Sequence, residues 1–162
     1  TYEKGMTDYI VTAVEGKTAA ETYKKTIEWI KLTYKNPEKV VLSTIDNEFI
    51  RFEGTSEKLY SYGGMGQMYV PTKYQIEISI KDGKYKFDLV GIQELVSGNW
   101  REIIVFNSKM NKEDLEKKYV FKKDGTLRSS FKFANEVPTY FNELNTSLSE
   151  SITSTVKQKN EW

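Results

Sequence analysis

The chain has 162 residues, with 38% hydrophobic and 29% charged side chains and a formal net charge of +1. That is the length and composition of one globular domain, able to bury roughly two-thirds of its unfolded surface without a disulfide or metal staple. It carries no long-range field to draw in a polyanion, so composition gives no support to nucleic-acid binding.

Two missing residue types exclude more. There is no Cys, so disulfide frameworks, thiolate metal sites and thiol nucleophiles are ruled out. There is no His, which removes the commonest general base and the commonest metal ligand. Chemistry by carboxylate, lysine or tyrosine is what remains. No apolar run approaches the ~18 residues of a membrane span.

In chain order, Tyr9 to Val14 alternates apolar and small polar residues and predicts a first strand, ended by Gly16. Thr18 and Glu21 have the spacing of a capping box, so a helix starts there. Ala20, Tyr23, Ile27, Ile30 and Tyr34 give it one apolar face, and Asn36-Pro37 stops it. Val40 to Ile45 predicts a second strand and Glu48 to Glu53 a third, with Ile50 and Phe52 sharing a face. Thr55 to Pro71 reads as a long irregular stretch.

Tyr74–Lys81 and Lys84–Glu94 form the clearest hairpin, joined by Asp82-Gly83, a dipeptide suited to a two-residue type I′ turn. That turn predicts Ile80 opposite Tyr85, Ile78 opposite Phe87 and Ile76 opposite Leu89, all on the core face. Trp100 to Phe106 predicts a further strand, Asn111 to Val120 a short helix and Lys122 to Gly125 a turn. Asn135 then caps a final helix over 135–157, with Pro138 in its first turn. Its apolar stripe is Val137, Phe141, Leu144, Leu148, Ile152 and Val156. Trp29 and Trp100 are expected to pack against the sheet. The economical arrangement is a single α+β domain spanning 1–162, with an antiparallel sheet and two main helices on one face. The polar faces of the strands then look toward solvent or a ligand.

Three constellations stand out. Tyr62-Gly63-Gly64-Met65-Gly66-Gln67-Met68-Tyr69 lacks the spacing of a dinucleotide fingerprint and the Gly-Lys-Ser/Thr of a P-loop, and it joins strands rather than a strand and a helix. It reads as a loop between strands. Tyr62, Gly63, Gly64, Met65, Met68 and Tyr69 are the candidate grip on an apolar or sugar-like ligand. The hairpin register also sets Glu77 opposite Asp88, two carboxylates that repel unless a cation intervenes. Lys86 and Arg51 are the candidates for that cation. A Ca²⁺-type oxygen site or an acid/base pair are the sharper alternatives to plain charge screening. Third, Lys109 to Lys132 holds eight basic residues against four acidic ones, with Tyr119, Phe121 and Phe131 interleaved. It suits a solvated lysine-rich helix and loop, an acidic partner or an anionic membrane surface. Asn145-Thr146-Ser147 is a formal glycosylation sequon, but it falls on the final helix.

The stretch VEGKTAAETYKKTIEWI (Val14 to Ile30), the NPEKV that follows (Asn36 to Val40) and the KDGKYKF hairpin (Lys81 to Phe87) resemble domain-of-unknown-function family 4468, found mainly in Bacteroidetes. The resemblance covers roughly 9–95. It implies a strongly twisted sheet in the order strand–helix–four strands–helix, similar to the TATA-binding-protein fold. It leaves 100–134 as an insertion, and it makes a removed signal peptide the account of a chain beginning at Thr1. The implied location is periplasmic or exported. The family carries no assigned activity, functional residue or cofactor.

The functional expectation is a non-catalytic module that binds a small ligand or an envelope protein, without nucleic acid and without a metal or cofactor. The alternative is an enzyme using carboxylates on a glycan or other small substrate, with Glu77 and Asp88 as its pair.

Overall fold

The structure is a computed structural model that describes residues 7, 9–62, 68–103, 121–128 and 133–154. An antiparallel sheet runs in the spatial order β1 (Tyr9–Ala13), β7 (Lys84–Val96), β6 (Thr72–Lys81), β3 (Phe49–Ser56), β2 (Val41–Ile45). Strand β8 (Asn99–Glu102) pairs with the distal half of β7, in line with β1. A separate two-stranded ribbon joins β4 (Ser61–Tyr62) and β5 (Met68–Tyr69). Helices α1 (Ala19–Thr33) and α3 (Phe133–Thr153) contribute to one hydrophobic core with the sheet. A single-turn helix, α2 (Pro37–Val40), leads into β2. This is the expected α+β fold with an open antiparallel sheet.

Helix α1 begins as the sequence predicts. Thr18 Oγ1 accepts the Glu21 N–H while the Glu21 carboxylate accepts the Thr18 N–H, so two otherwise orphaned donors are satisfied. Asp82 Oδ1 takes the Ala19 N–H at 2.7 Å, tying the helix start to the β6–β7 turn. The buried face, however, is Thr22, Thr26, Trp29 and Ile30. Ala20 is exposed, while Tyr23, Ile27 and Tyr34 sit at the margin. The apolar pattern alone points the face toward the sheet. The second helix draws it round, because Trp29 Nε1 donates to Ser147 Oγ of α3 at 3.1 Å.

The expected second strand starts one residue late. Val40 closes the α2 turn because Pro37 is pre-set for a helix N-terminus. The irregular stretch from Thr55 is more ordered than its composition suggests. Strand β3 continues to Ser56, Leu59 and Tyr60 are buried in the core, and β4–β5 pairs Ser61 with Tyr69 and Tyr62 with Met68.

The β6–β7 register is the predicted one, pairing Ile80 with Tyr85, Ile78 with Phe87 and Ile76 with Leu89. Five of these six are buried and Leu89 is partly so. A bulge follows. Ile76 faces Leu89 but Gln75 faces Gly91, so Val90 is an extra residue. The parity of β7 switches there. Tyr85 and Phe87 face the helices before it, and Ile92 does after it.

Gly54 of β3 lies opposite Tyr74 of β6, and the Tyr74 ring covers it. A Cβ at Gly54 would sit 2.5 Å from the Tyr74 ring carbon and hydroxyl. The glycine is there because nothing else fits beneath the ring.

Helix α3 starts at Phe133, two residues before the expected Asn135 cap, so Pro138 lies inside the helix rather than in its first turn. Its missing N–H leaves one carbonyl of the opening turns without a helical partner. One residue on, the Thr139 hydroxyl donates to the Asn135 carbonyl at 2.8 Å. Val137, Phe141, Leu148 and Ile152 are buried along the predicted stripe and Leu144 is partly so; Val156 lies outside the described residues. Trp100 departs from expectation. It is 40% exposed on β8, on the side of the sheet away from the helices. The 122–125 turn forms, closed by Gly125 N–H to the Lys122 carbonyl and flanked by a Phe121–Leu127 bridge. The expected helix over 111–120, the strand beyond Ile103 and most of the 109–132 basic segment lie outside the described residues.

Candidate functional site

Both long helices lie on one face, and among the described residues no element covers the other face of the sheet. Strand alternation fixes what it displays. One row runs Tyr9, Asp88, Glu77, Arg51 and Ser43 across five strands. Glu77 is therefore opposite Asp88, and each carboxylate has its own cation. Arg51 pairs with Glu77, and Lys86 Nζ lies 2.7 Å from Asp88 Oδ2. The hydrogen bond to Asp88 raises the Lys86 pKa, which keeps the ammonium charged.

Each cation also meets an aromatic ring. Arg51 lies over Phe49 at 5.9 Å and Lys86 over Tyr9 at 5.1 Å. A third set repeats the pattern at the distal end of the sheet. Lys73 sits 4.9 Å over the Trp100 ring and 3.9 Å from Glu53. Each such contact is worth only about 0.5–1 kcal/mol at an exposed site. Together they set rings and charges side by side along this face of the sheet. Among the described residues, no group of three acidic side chains is arranged to hold a metal ion.

The glycine-rich segment falls partly outside the description: Gly63, Gly64 and Met65 lie there. Its flanks are placed. Tyr62 pairs through its backbone with Met68, which is 68% exposed, and Tyr69 is 41% exposed. The ribbon is anchored at its base. The Glu136 carboxylate of α3 accepts both the N–H and the hydroxyl of Ser61, and the Tyr60 hydroxyl donates to Glu94 of β7 at 2.6 Å. Just past the ribbon, the Leu95 N–H bonds the Pro71 carbonyl, and Leu95 pairs with Trp100. Met68, Tyr69 and Trp100 are therefore exposed at the same end of the sheet. The sequence missed Trp100, Lys73 and Glu53 as companions of this site, because only the β7–β8 and β3–β6 pairings bring them together.

Beneath the open face lie two buried polar networks. Tyr74 OH is 3.0 Å from both Tyr34 OH and Tyr140 OH, forming a chain of three hydroxyls from α1 through β6 to α3. Burial pushes the Tyr34 and Tyr74 pKa values well above the ordinary phenol range. Tyr85 OH donates to Asn145 Oδ1 at 2.8 Å, and Asn145 Nδ2 donates to Thr12 Oγ1 at 3.0 Å. Asn145 is thus buried and committed, which takes the sequon at 145–147 out of reach of glycosylation. Burial also raises the Tyr85 pKa from 10.0 to about 12. In the unfolded chain this phenol ionises near its ordinary value, so its contribution to stability is complete below about pH 10 and is lost as pH rises toward 12. The urea midpoint is accordingly expected to fall between pH 10 and 12, and less steeply in Tyr85→Phe. An equal slope in both proteins would contradict the assignment.

The sequence matches no family profile and no curated protein. The fold does have relatives. A DUF4468 family protein from Bacteroides ovatus ATCC 8483 superposes with a TM-score of 0.68 at 14% identity, covering 94% of this chain and 88% of its own. A TBP-like protein from Parabacteroides distasonis ATCC 8503 gives 0.61 at 13% identity, covering 90% and 91%. The likeness is one of fold, and the first neighbour bears the name of the family that the helix and hairpin motifs resemble. Neither description names a ligand, a partner or an activity.

Proposed function

We propose that this protein is a non-catalytic binding module whose recognition surface is the distal end of the sheet, formed by the β4–β5 ribbon and the open face beside it. One observation carries the reading: the Met68-Tyr69 pair and Trp100, from separate strands, are all exposed at that end. Aromatic and Met side chains are the types enriched where proteins make contacts. Tyr62, Gly63, Gly64 and Met65, which the sequence groups with Met68 and Tyr69, belong to the same proposed surface. The row of Arg51, Glu77, Asp88 and Lys86 would flank it as a charge-balanced platform, which suits a neutral ligand or protein surface better than a polyanion.

The carboxylate enzyme is the weaker reading. Glu77 and Asp88 are each held by their own cation, and nothing among the described residues indicates catalysis. We place the module outside the cytoplasm, as the family resemblance implies; no described helix is long and apolar enough to cross a membrane.

The test is capture from the native organism's envelope fraction on immobilised protein, comparing wild type with the Met68→Ser, Trp100→Ala double variant. Both side chains are exposed, so the fold should tolerate the change. Retention of a specific ligand or protein by wild type, and its loss in the variant, is the expected result. Equal retention by both, or none by either, overturns the reading.

A further inference from the structure

The two lateral edges of the sheet differ. Strand β2 is interrupted by a bulge between Val41 and Ser43, a device that blunts an edge. Strand β1, Tyr-Ile-Val-Thr-Ala, has none. Its five residues pair with β7 in unbroken register and include no charge, no Pro and no Gly. Natural edge strands are guarded by such features, and their absence marks a strand suited to pairing.

The direction of its free groups follows from one bond. Val14 N–H donates to the Gly83 carbonyl at 2.8 Å, continuing the β1–β7 register. In an antiparallel pair, residues alternate between bonding the neighbour and pointing away from it. Thr12 and Ile10 therefore bond β7, whereas Ala13, Val11 and Tyr9 turn their N–H and C=O groups outward. Among the described residues, these groups meet no other strand. The same three side chains lie on the open face, with Tyr9 54% and Val11 56% exposed.

We infer that β1 pairs antiparallel with β1 of a second copy of this chain, about a two-fold axis at Val11. Three properties of the strand choose a copy of itself over a foreign strand. In that register, residues with outward groups meet residues with outward groups: Tyr9 with Ala13 of the other chain, Val11 with Val11, Ala13 with Tyr9. All three free positions are satisfied at once, by about six hydrogen bonds. The side chains fit as well, because the largest faces the smallest. The axis also brings residues near their own copies, where any charge would repel itself, and β1 has none. The result is one continuous sheet with the two open faces side by side. This inference does not depend on the binding reading above, since it uses the proximal half of β7's edge and that reading uses the distal end.

Sedimentation velocity between ~10 μM and ~1 mM is the test, the range in which a contact this small associates. The expected result is a concentration-dependent shift from monomer toward dimer. Val11→Glu should weaken it at least about tenfold, because two carboxylates then face each other across the axis. In the monomer that side chain lies opposite Lys86, so folding is preserved and an unchanged melting temperature verifies it. Leu42→Lys on the other edge should leave association intact. Amide exchange gives a second readout: the Tyr9, Val11 and Ala13 amides should slow as concentration rises. A chain that stays monomeric to 1 mM overturns the inference. So does association that Val11→Glu leaves unchanged, or that protects β2 amides instead.

Discussion

Replacing Gly54 with alanine is expected to destabilise the fold by about 3 kcal/mol, the upper range for forcing a methyl group into a packed core. For a domain of this size that lowers the melting temperature by roughly 6–12 °C. The cause is specific. The new Cβ would lie 2.5 Å from the Tyr74 ring, and that ring cannot swing aside freely. Its hydroxyl is held between Tyr34 and Tyr140, and its face packs edge-on against Tyr140 and Phe141 at 5.7 and 5.3 Å. Moving it breaks contacts with both helices. A double-mutant cycle separates this cause from a general loss of glycine freedom. In a Tyr74→Leu background the ring is gone, so Gly54→Ala should cost less than half as much. The same cost in both backgrounds would show that the ring is not the obstacle.

Phe52→Ala is expected to cost about 3–5 kcal/mol, the usual penalty for removing a buried aromatic ring. Phe52 is completely buried on β3, between β2 and β6, with Val41 and Ile76 as its cross-strand neighbours. Above it, Trp29 of α1 and Tyr34 at its C-cap meet its ring at 6.0 and 5.7 Å. It therefore joins α1 to the sheet, and the cavity left behind cannot close without moving the helix. Against a total stability of about 5–15 kcal/mol, such a loss is large. Urea unfolding followed by tryptophan fluorescence would measure it. A change below about 1 kcal/mol would mean that α1 is held mainly by its contacts with α3.

The sequence was most informative where one local feature determines geometry. The Thr18–Glu21 box fixed where α1 begins, and the Asp82-Gly83 turn fixed the pairing of Ile80, Ile78 and Ile76 with β7. Because side chains alternate along a strand, that register also put Glu77 beside Asp88. It failed where a second element decides. The face of α1 depends on α3, so the apolar pattern of α1 alone puts Ala20 on the wrong side. Nothing in the run Asp88-Leu89-Val90-Gly91 marks Val90 as the extra residue, apart from the glycine that follows it. Trp100 reads as a core residue in isolation, and only its place on β8 turns it outward. Likewise, Tyr9–Lys86–Asp88, Phe49–Arg51–Glu77 and Trp100–Lys73–Glu53 each draw residues from separate strands. Strand pairing assembles them: the hairpin register points to Arg51 and Lys86 as cations for Glu77 and Asp88, but the rings and the third set follow only from the other pairings.

The position of β1 has a consequence for how the chain reaches this structure. It comes first in chain order among the eight described strands, yet its only partner among them is β7, next to last of the eight. The β6–β7 hairpin closes over a two-residue turn and can form on the microsecond scale. β1 must wait until that hairpin exists, since within the described part of the chain only β7 receives it. Long-range closure of this kind is slow, because chain entropy is spent before any contact returns it. Folding is therefore expected to end with β1: the hairpin, β3 and the helices assemble first, and the N-terminal strand is seated last. Until then its uncharged backbone is exposed on both edges, so the newly made chain is most prone to wrong pairing in the interval before β7 is complete.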